Sequence, residues 1–271
     1  MKQCARFTRL TPRMLGLALL ASLTCNVLAL LDIDAYLATW RASMRPRYRQ
    51  QLEMFASAQA PHRHRPVVLF LGDSLTNRWA WHEFLADLTP ALVLNRGLSG
   101  DTVERLLARL EDTVPPHAHI QRAFLMIGIN DLLRRHYHLP TFMARYEALV
   151  ERLLATVEPD KLCLLSLLPT RWPAVSSAAV QATNSQLARL ARAKGLCYID
   201  LYPDFVDATG QLAAPLTDDG LHLSVEGYRR WVAAIAPYLR PERGIQPVAL
   251  GVSQDRSGMA KRMTIEMVHQ Q

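Results

Sequence analysis

An α/β domain with a parallel sheet covered by helices on both sides is what this sequence predicts, and three observations predict it. Five apolar runs, at 66–71 (PVVLFL), 91–95 (ALVLN), 123–129 (AFLMIGI), 161–168 (KLCLLSLL) and 196–201 (LCYIDL), are nearly uninterrupted by polar residues. Strands buried on both faces of a parallel sheet require this, whereas a half-exposed strand would alternate. Helical spacing of apolar residues separates the runs, at 79–88, 101–112, 141–157, 174–194 and 225–239. Short turns join the two kinds of element, and strand–helix alternation of this kind builds a parallel sheet.

Taken in chain order, the first segment is not part of that domain. Lys2, Arg6, Arg9 and Arg13 precede a stretch from Met14 to Leu31 that carries no charge. A basic region followed by an apolar one is the pattern of a secretory signal. Val27-Leu28-Ala29 offers a cleavage site of small residues. Uncleaved, the stretch sits at the lower edge of the roughly 17–25 residues that span a bilayer. The alternative is therefore a signal anchor, with Asp32 and Asp34 on the far side favouring an N-in orientation. Both readings export the rest of the chain, to the periplasm or beyond, or leave it tethered to the inner membrane through residues 14–31. Residues 32–65 follow as a helical lead-in and linker, with Tyr36, Leu37, Trp40, Met44, Tyr48, Leu52 and Phe55 at helical spacing. The HRHR run at 62–65 reads as solvated linker rather than a metal site. The globular domain occupies 66–240, with Ser224 as N-cap of its last helix and Pro237 and Pro241 marking that helix's end. Residues 241–271 lose all periodicity and read as a flexible tail.

Composition narrows the function classes. The chain is 50% hydrophobic and 20% charged, enough apolar material for a sizeable core. Its net charge of +7 comes from scattered arginines, and a nucleic-acid partner would require a clustered basic footprint. Of the four cysteines, Cys4 and Cys25 lie in the export segment, while Cys163 and Cys197 fall inside apolar runs. Such cysteines behave as small hydrophobes, so buried free thiols are expected rather than a disulfide scaffold.

In an open parallel sheet, ligands bind beyond the carboxyl ends of the strands. Gly72-Asp73-Ser74 follows the first strand, Asn95-Arg96-Gly97 and Leu98-Ser99-Gly100-Asp101 the second, and Gly128-Ile129-Asn130-Asp131 the third. Asp218-Asp219-Gly220-Leu221-His222 precedes the last helix. These stretches contain what acyl transfer needs. A serine hydroxyl is a weak nucleophile until a base takes its proton. An imidazole, which ordinarily titrates near ~6.5, suits that task. Asp219, three residues before His222, is spaced to accept the ring's Nδ1 proton and hold the tautomer. The backbone N–H groups of Ser74 and Gly97 and the side-chain amide of Asn130 are the candidate oxyanion donors. Asp73 and Asp131 read as loop-bracing partners, and Asp101 as the N-cap of the 101–112 helix. Trp79, Arg171 and Asp73 are placed on the predicted rim as substrate-lining residues. Trp79 and Trp81 have a second reading, as packing of the first helix onto the sheet.

Four blocks together resemble the SGNH (GDSL) hydrolase superfamily: GDSL at 72–75, NRGLSGDT around Gly97, GIND at 128–131 and DGLH at 219–222. The resemblance covers about 66–240. NRGLSGDTVERLLARLED followed by an apolar strand and GIND is similar to the branch holding platelet-activating-factor acetylhydrolase catalytic subunits and bacterial lysophospholipase-like esterases. The resemblance implies a flavodoxin-like three-layer α/β/α sandwich with strand order 2-1-3-4-5. It also implies a metal-free triad of Ser74, His222 and Asp219, no cofactor, and a small-molecule ester substrate, lipid or acetylated glycan. The G-x-S-x-G elbow of the other common esterase fold is absent around both Ser74 and Ser99. No G-x-G-x-x-G or Walker loop follows the first strand, which argues against nucleotide binding. The rival reading from another class is a non-catalytic ligand-binding module on the same fold.

Overall fold

The computed structural model describes residues 65–115 and 118–239, together with Pro46, Tyr48, residues 50–55 and Ser57. The expected export segment at 1–31 and the expected tail at 241–271 lie outside the described residues, as does most of the lead-in.

Five parallel strands form one sheet in the order β2-β1-β3-β4-β5. They are β1 (Pro66–Gly72), β2 (Leu92–Gly97), β3 (His119–Met126), β4 (Leu162–Leu165) and β5 (Cys197–Ile199). Val67, Val68, Leu69 and Leu71 of β1 are wholly buried. The unbroken apolar run thus has the cause the parallel-sheet reading supposed: both faces of the strand are covered. Ser166 lies just past β4 and its hydroxyl accepts from the N–H groups of Leu201 and Tyr202. Asn184 gives Leu167 both its hydrogen bonds, accepting from its N–H at 2.7 Å and donating to its carbonyl at 2.8 Å. An amide side chain therefore takes over where β4 runs out of strand partners, which is why β4 is shorter than the apolar run at 161–168.

The helices are α1 (Ser74–Asn77), α2 (Trp81–Phe84), α3 (Val103–Ala108), α4 (Leu110–Thr113), α5 (Ile129–Leu132), α6 (Leu139–Leu154), α7 (Ser177–Ala193), α8 (Tyr202–Phe205) and α9 (Val225–Ile235). On one side of the sheet a column of rings carries the packing. Phe70 and Phe124, register partners on β1 and β3, stack at 5.1 Å. Trp81 lies on Phe70 at 4.2 Å, and Trp231 of α9 meets Trp81 edge-on at 4.9 Å. Helices α3, α6 and α7 pack against one another as a second layer. The expected helix at 79–88 condenses to single turns, because Trp81 turns inward and donates its indole N–H to the Thr76 carbonyl. The expected helix at 101–112 breaks at Arg109, whose side chain is turned into the core. Ser224 caps α9 as expected, accepting from the Gly227 N–H. Cys163 and Cys197 are buried free thiols on register-paired positions of β4 and β5.

The register positions the site. Gly72 of β1 is level with Gly97 of β2 on one side and with Met126 of β3 on the other. The three loops that leave these residues therefore depart from one edge of the sheet.

Candidate active site

The nucleophile candidate is aimed by a turn that only glycines permit. A Cβ on Gly72 would lie 2.2 Å from Thr76 Oγ1 and 2.4 Å from the Met126 carbonyl oxygen. A Cβ on Gly97 would lie 2.5 Å from the Asn77 nitrogen and 2.8 Å from the Asp73 carbonyl oxygen. Both glycines let the 73–77 turn press directly onto the ends of β1 and β2. Asp73 caps α1, its Oδ1 accepting from the Leu75 N–H at 2.9 Å. Ser74 opens that helix, 7% exposed. The amide of Asn95 knits the turn to β2, donating from Nδ2 to the carbonyls of Thr76, Asn77 and Trp79.

Ser74 Oγ lies 2.9 Å from His222 Nε2, across 148 residues of chain. His222 Nδ1 lies 2.6 Å from Asp219 Oδ2. Asp219 Oδ1 also accepts from the N–H groups of Leu221 at 3.0 Å and His222 at 2.7 Å. Partial burial alone would raise the Asp219 pKa. The ring and backbone donors outweigh it and hold the carboxyl at about 2. An ionised Asp219 beside Nδ1 places the imidazole proton there, and Nε2 then faces Ser74 as an acceptor.

The loop carrying Asp219 and His222 is held by neighbours to which the sequence assigned no bracing role. Thr217 Oγ1 donates to the His222 carbonyl at 2.7 Å and accepts from the Gly220 N–H at 2.9 Å. Thr170 Oγ1 and the Arg171 N–H both donate to the Gly220 carbonyl, at 3.0 and 2.7 Å. Trp172 Nε1 donates to the Asp219 carbonyl at 3.0 Å. Gly220 at φ +82° supplies the left-handed residue that this tight loop needs. The only sequence signal for these braces is the polar Pro-Thr-Arg-Trp stretch that follows an apolar strand.

The candidate oxyanion donors are not equivalent. The Ser74 N–H has no acceptor among the described residues. Asn130 Nδ2 gives one hydrogen to the Asp101 carbonyl at 2.8 Å and keeps its second. The Gly97 N–H donates to Asn95 Oδ1 at 3.0 Å.

Beneath the site lies a buried charge network. Arg109, 3% exposed, donates from Nε to Asp101 Oδ2 at 2.7 Å and from Nη1 to Thr113 Oγ1 at 2.8 Å. Its Nη2 donates to the Arg96 carbonyl at 2.9 Å and reaches the Gly72 carbonyl at 3.5 Å. One guanidinium thus ties together the ends of β1 and β2. Asp101 is committed to this pair, and Thr102 caps α3 in its place, accepting from the Arg105 N–H. The expectation of Asp101 as the cap is corrected accordingly. A buried arginine requires a carboxylate partner more than a helix end requires that particular cap. The lead-in reaches the network too: Tyr48 lies near Asp101, and the Phe55 ring sits 4.6 Å under the Arg96 guanidinium.

Burial is the largest influence on Asp73 and pushes its pKa up to about 7, against the Leu75 N–H; the nearby Asp101 and Asp131 carboxylates add to the rise. Burial likewise pushes Asp131 up to about 6, opposed by the Val103 N–H that its Oδ2 accepts at 3.1 Å. Both aspartates brace backbone N–H groups, as expected of loop-bracing residues. Trp79 stacks on Tyr228 at 4.3 Å and leans on Phe84 at 4.2 Å, and the Tyr228 hydroxyl donates to the Leu75 carbonyl. Trp79 therefore packs α1 and α2 against α9. Arg171 Nη1 donates to Asp207 Oδ2 at 3.0 Å and to the Leu212 carbonyl at 2.8 Å, so its charge is already answered within the fold.

Residues 70–230 match the model of the GDSL-like lipase/acylhydrolase family. The chain is 28% identical over 170 residues to platelet-activating factor acetylhydrolase IB subunit alpha1 of Rattus norvegicus, covering 60% of this chain and 70% of that one. A solved structure from Streptococcus pneumonia described as a platelet activating factor superposes with a TM-score of 0.69 at 23% identity, covering 75% of this chain and 98% of that one. An acetylxylan esterase from Geobacillus stearothermophilus gives a TM-score of 0.53 at 21% identity, covering 66% and 95%.

Proposed function

Because the chain belongs to the GDSL-like lipase/acylhydrolase family and is a GDSL-type carboxylic ester hydrolase, we propose that it works by a serine mechanism through an acyl-enzyme, with Ser74 as nucleophile, His222 as base and Asp219 as its orienting acid. The observation that supports this is the unbroken relay of hydrogen bonds from Ser74 Oγ through the imidazole to Asp219, 2.9 and 2.6 Å long.

In the first half-reaction Ser74 Oγ attacks the ester carbonyl carbon while its proton passes to His222 Nε2. The positive ring that results is stabilised by the Asp219 carboxylate. The Ser74 N–H and the second amide hydrogen of Asn130 receive the negative oxygen of the tetrahedral intermediate. The Gly97 N–H joins them by exchanging its Asn95 partner for the oxyanion. Each such donor contributes on the order of 10²–10³ in rate. The C–O bond then breaks and His222 returns the proton to the leaving alcohol. Water, deprotonated by the same nitrogen, attacks the acyl-enzyme and frees the acid and the serine.

The substrates on this reading are acyl or acetyl esters of lipids or glycans. The relative named for platelet-activating factor and the neighbour named for acetylxylan support the two halves of that range. Export by residues 1–31, to the periplasm or beyond or into the inner membrane as an anchor, completes the proposal and brings both substrate classes within reach. Ser74→Ala is expected to abolish hydrolysis of a short p-nitrophenyl ester and labelling by a fluorophosphonate. Hydrolysis at the wild-type rate in that variant would refute the assignment.

A further inference from the structure

The helix that carries Asn130 runs straight into a second concavity, one that the mechanism above does not use. Residues between Asp131 and Arg145 line an open concavity of about 370 Å³ whose polar lining is dominated by Arg134, Arg135, His136, His138 and Arg145. Tyr137 and Phe142, tilted rings 5.6 Å apart, form its apolar wall. The wall is anchored, since Phe142 is buried and the Tyr137 hydroxyl hydrogen-bonds Thr183 at 2.7 Å.

The charges around this cavity do not cancel. Glu104 Oε2 lies 3.4 Å from Arg145 and 3.8 Å from Arg134, so one carboxylate is shared between two guanidinium groups at long range. The lining carboxylate of Asp131 is engaged by the Val103 N–H. Arg135 and His136 have no polar partner among the described residues. Three arginines against two carboxylates leave a positive excess over an apolar wall, which strengthens the field felt by an anion.

The cavity adjoins the Asn130 side of the candidate site, since Asp131 of its lining is the next residue after Asn130. Asn130 Nδ2 donates to the Asp101 carbonyl, and Arg134 Nη2 donates to Thr102 Oγ1 at 3.4 Å. The proposed oxyanion donor and the arginine cluster thus hold consecutive residues of one loop. Guanidinium groups present paired N–H donors that match the oxygens of phosphate or carboxylate. A volume of this size admits a phosphate with a glycerol-sized group attached.

We propose that this cavity is a subsite for an anionic group of the ester substrate, a phosphate in the first instance, carried on the part of the molecule that Ser74 does not attack. The proposal rests on the serine esterase reading and adds to it a substrate class, anionic rather than neutral esters.

The test compares matched esters. A monoacylglycerol phosphate and the monoacylglycerol of the same chain form one pair; an acetylated uronate and the corresponding neutral sugar form the other. Wild-type protein is expected to favour the phosphate ester over its neutral partner by about tenfold or more in kcat/KM, chiefly through KM, with the preference shrinking as salt is raised. In the Arg135→Ala/Arg145→Ala variant the ratio is expected to fall towards one, with Arg135→Lys retaining part of it. A preference confined to the uronate pair would keep the anion subsite and make its ligand a carboxylate. Ratios near one in the wild type for both pairs, or a ratio unmoved in the double variant, would overturn it. Calorimetry of glycerol 3-phosphate with Ser74→Ala protein reads the subsite without catalysis. Binding there that disappears on adding the two arginine substitutions supports the proposal, and no binding to the parent counts against it. Failure of the esterase reading shows separately, as turnover of these esters by Ser74→Ala.

Discussion

The two halves of the proposed triad are held by different physics. Ser74 sits on a turn clamped between two strand ends, over a wholly buried ion pair, with glycines at 72 and 97 where a single methyl group would collide with backbone atoms. Asp219 and His222 sit on a loop at the surface, the Asp219 side chain 45% exposed, held by side-chain hydrogen bonds from Thr170, Trp172 and Thr217. The first region is fixed by sheet register and exclusion of volume, and cannot be perturbed without perturbing the fold. The second is fixed by a few hydrogen bonds of modest net worth, each about 1 kcal/mol. Placement of the base can therefore be degraded while the domain stays folded.

Substitutions can break or sharpen this contrast. The largest effect is expected from Asp219→Asn, which removes the charge that selects the ring tautomer. The rate should fall on the order of 10⁴-fold with the thermal midpoint nearly unchanged; a comparable fall in stability would place the loop with the core instead. Next comes Arg109→Met on the nucleophile side. It strands the Asp101 carboxylate and frees the Arg96 and Gly72 carbonyls, and should lower unfolding free energy in denaturant titrations by about 3–5 kcal/mol. Stability within error of the wild type would deny that the buried pair clamps the strand ends. Trp172→Phe and Thr217→Val each delete one brace of the base. Stability should change by about 1 kcal/mol or less, while kcat falls up to about tenfold. If these variants lost stability as Arg109→Met does, the contrast between the regions would vanish.

The last prediction concerns the pH slope of stability. Asp73 titrates near 7 in the folded protein, against about 3.9 in an unfolded chain. Between those values the folded state holds a proton that the unfolded state has released, so stability falls as pH rises from about 4 to about 7 and levels off above that. In Asp73→Asn the side-chain amide cannot ionise, and its oxygen can still accept from the Leu75 N–H. The stability of this variant relative to wild type should therefore grow across that window and be constant beyond it. Parallel stability curves from pH 4 to 8 would mean that Asp73 is ionised throughout.

Much of the candidate site's rim was legible because it lies at strand ends. Apolar runs mark buried parallel strands, and a glycine with polar residues close by lies at or near the end of each of the first three, so Gly72-Asp73-Ser74, Gly97 and Asn130 could be located from the sequence. Aspartate three residues before histidine is likewise a local pattern, and the relay geometry accords with it. The braces were not legible. Thr170 and Trp172 act on carbonyls 47 to 50 residues away, and nothing in their local sequence records that distance. Arg171, Trp79 and Asp73 were assigned to the substrate because they fall near the rim in sequence; the first two instead face Asp207 and Tyr228, and Asp73 is buried as the cap of α1. Asp101 precedes a helix and looks like its cap, yet the buried guanidinium of Arg109, itself concealed within an amphipathic pattern, has the stronger claim on it.

Alone, the order of residues determined the layered α/β architecture and which hydroxyl, imidazole, carboxylate and amide could take part in chemistry, because burial periodicity and side-chain type are properties of short stretches. Which of those groups meet was decided by tertiary structure. Level strand ends at Gly72, Gly97 and Met126 bring the loops to one edge, and packing of α9 through Tyr228 and Trp231 onto the first helices carries His222 across 148 residues to Ser74. A contact of that separation depends on the sum of every packing interaction between its ends, and no local pattern encodes that sum.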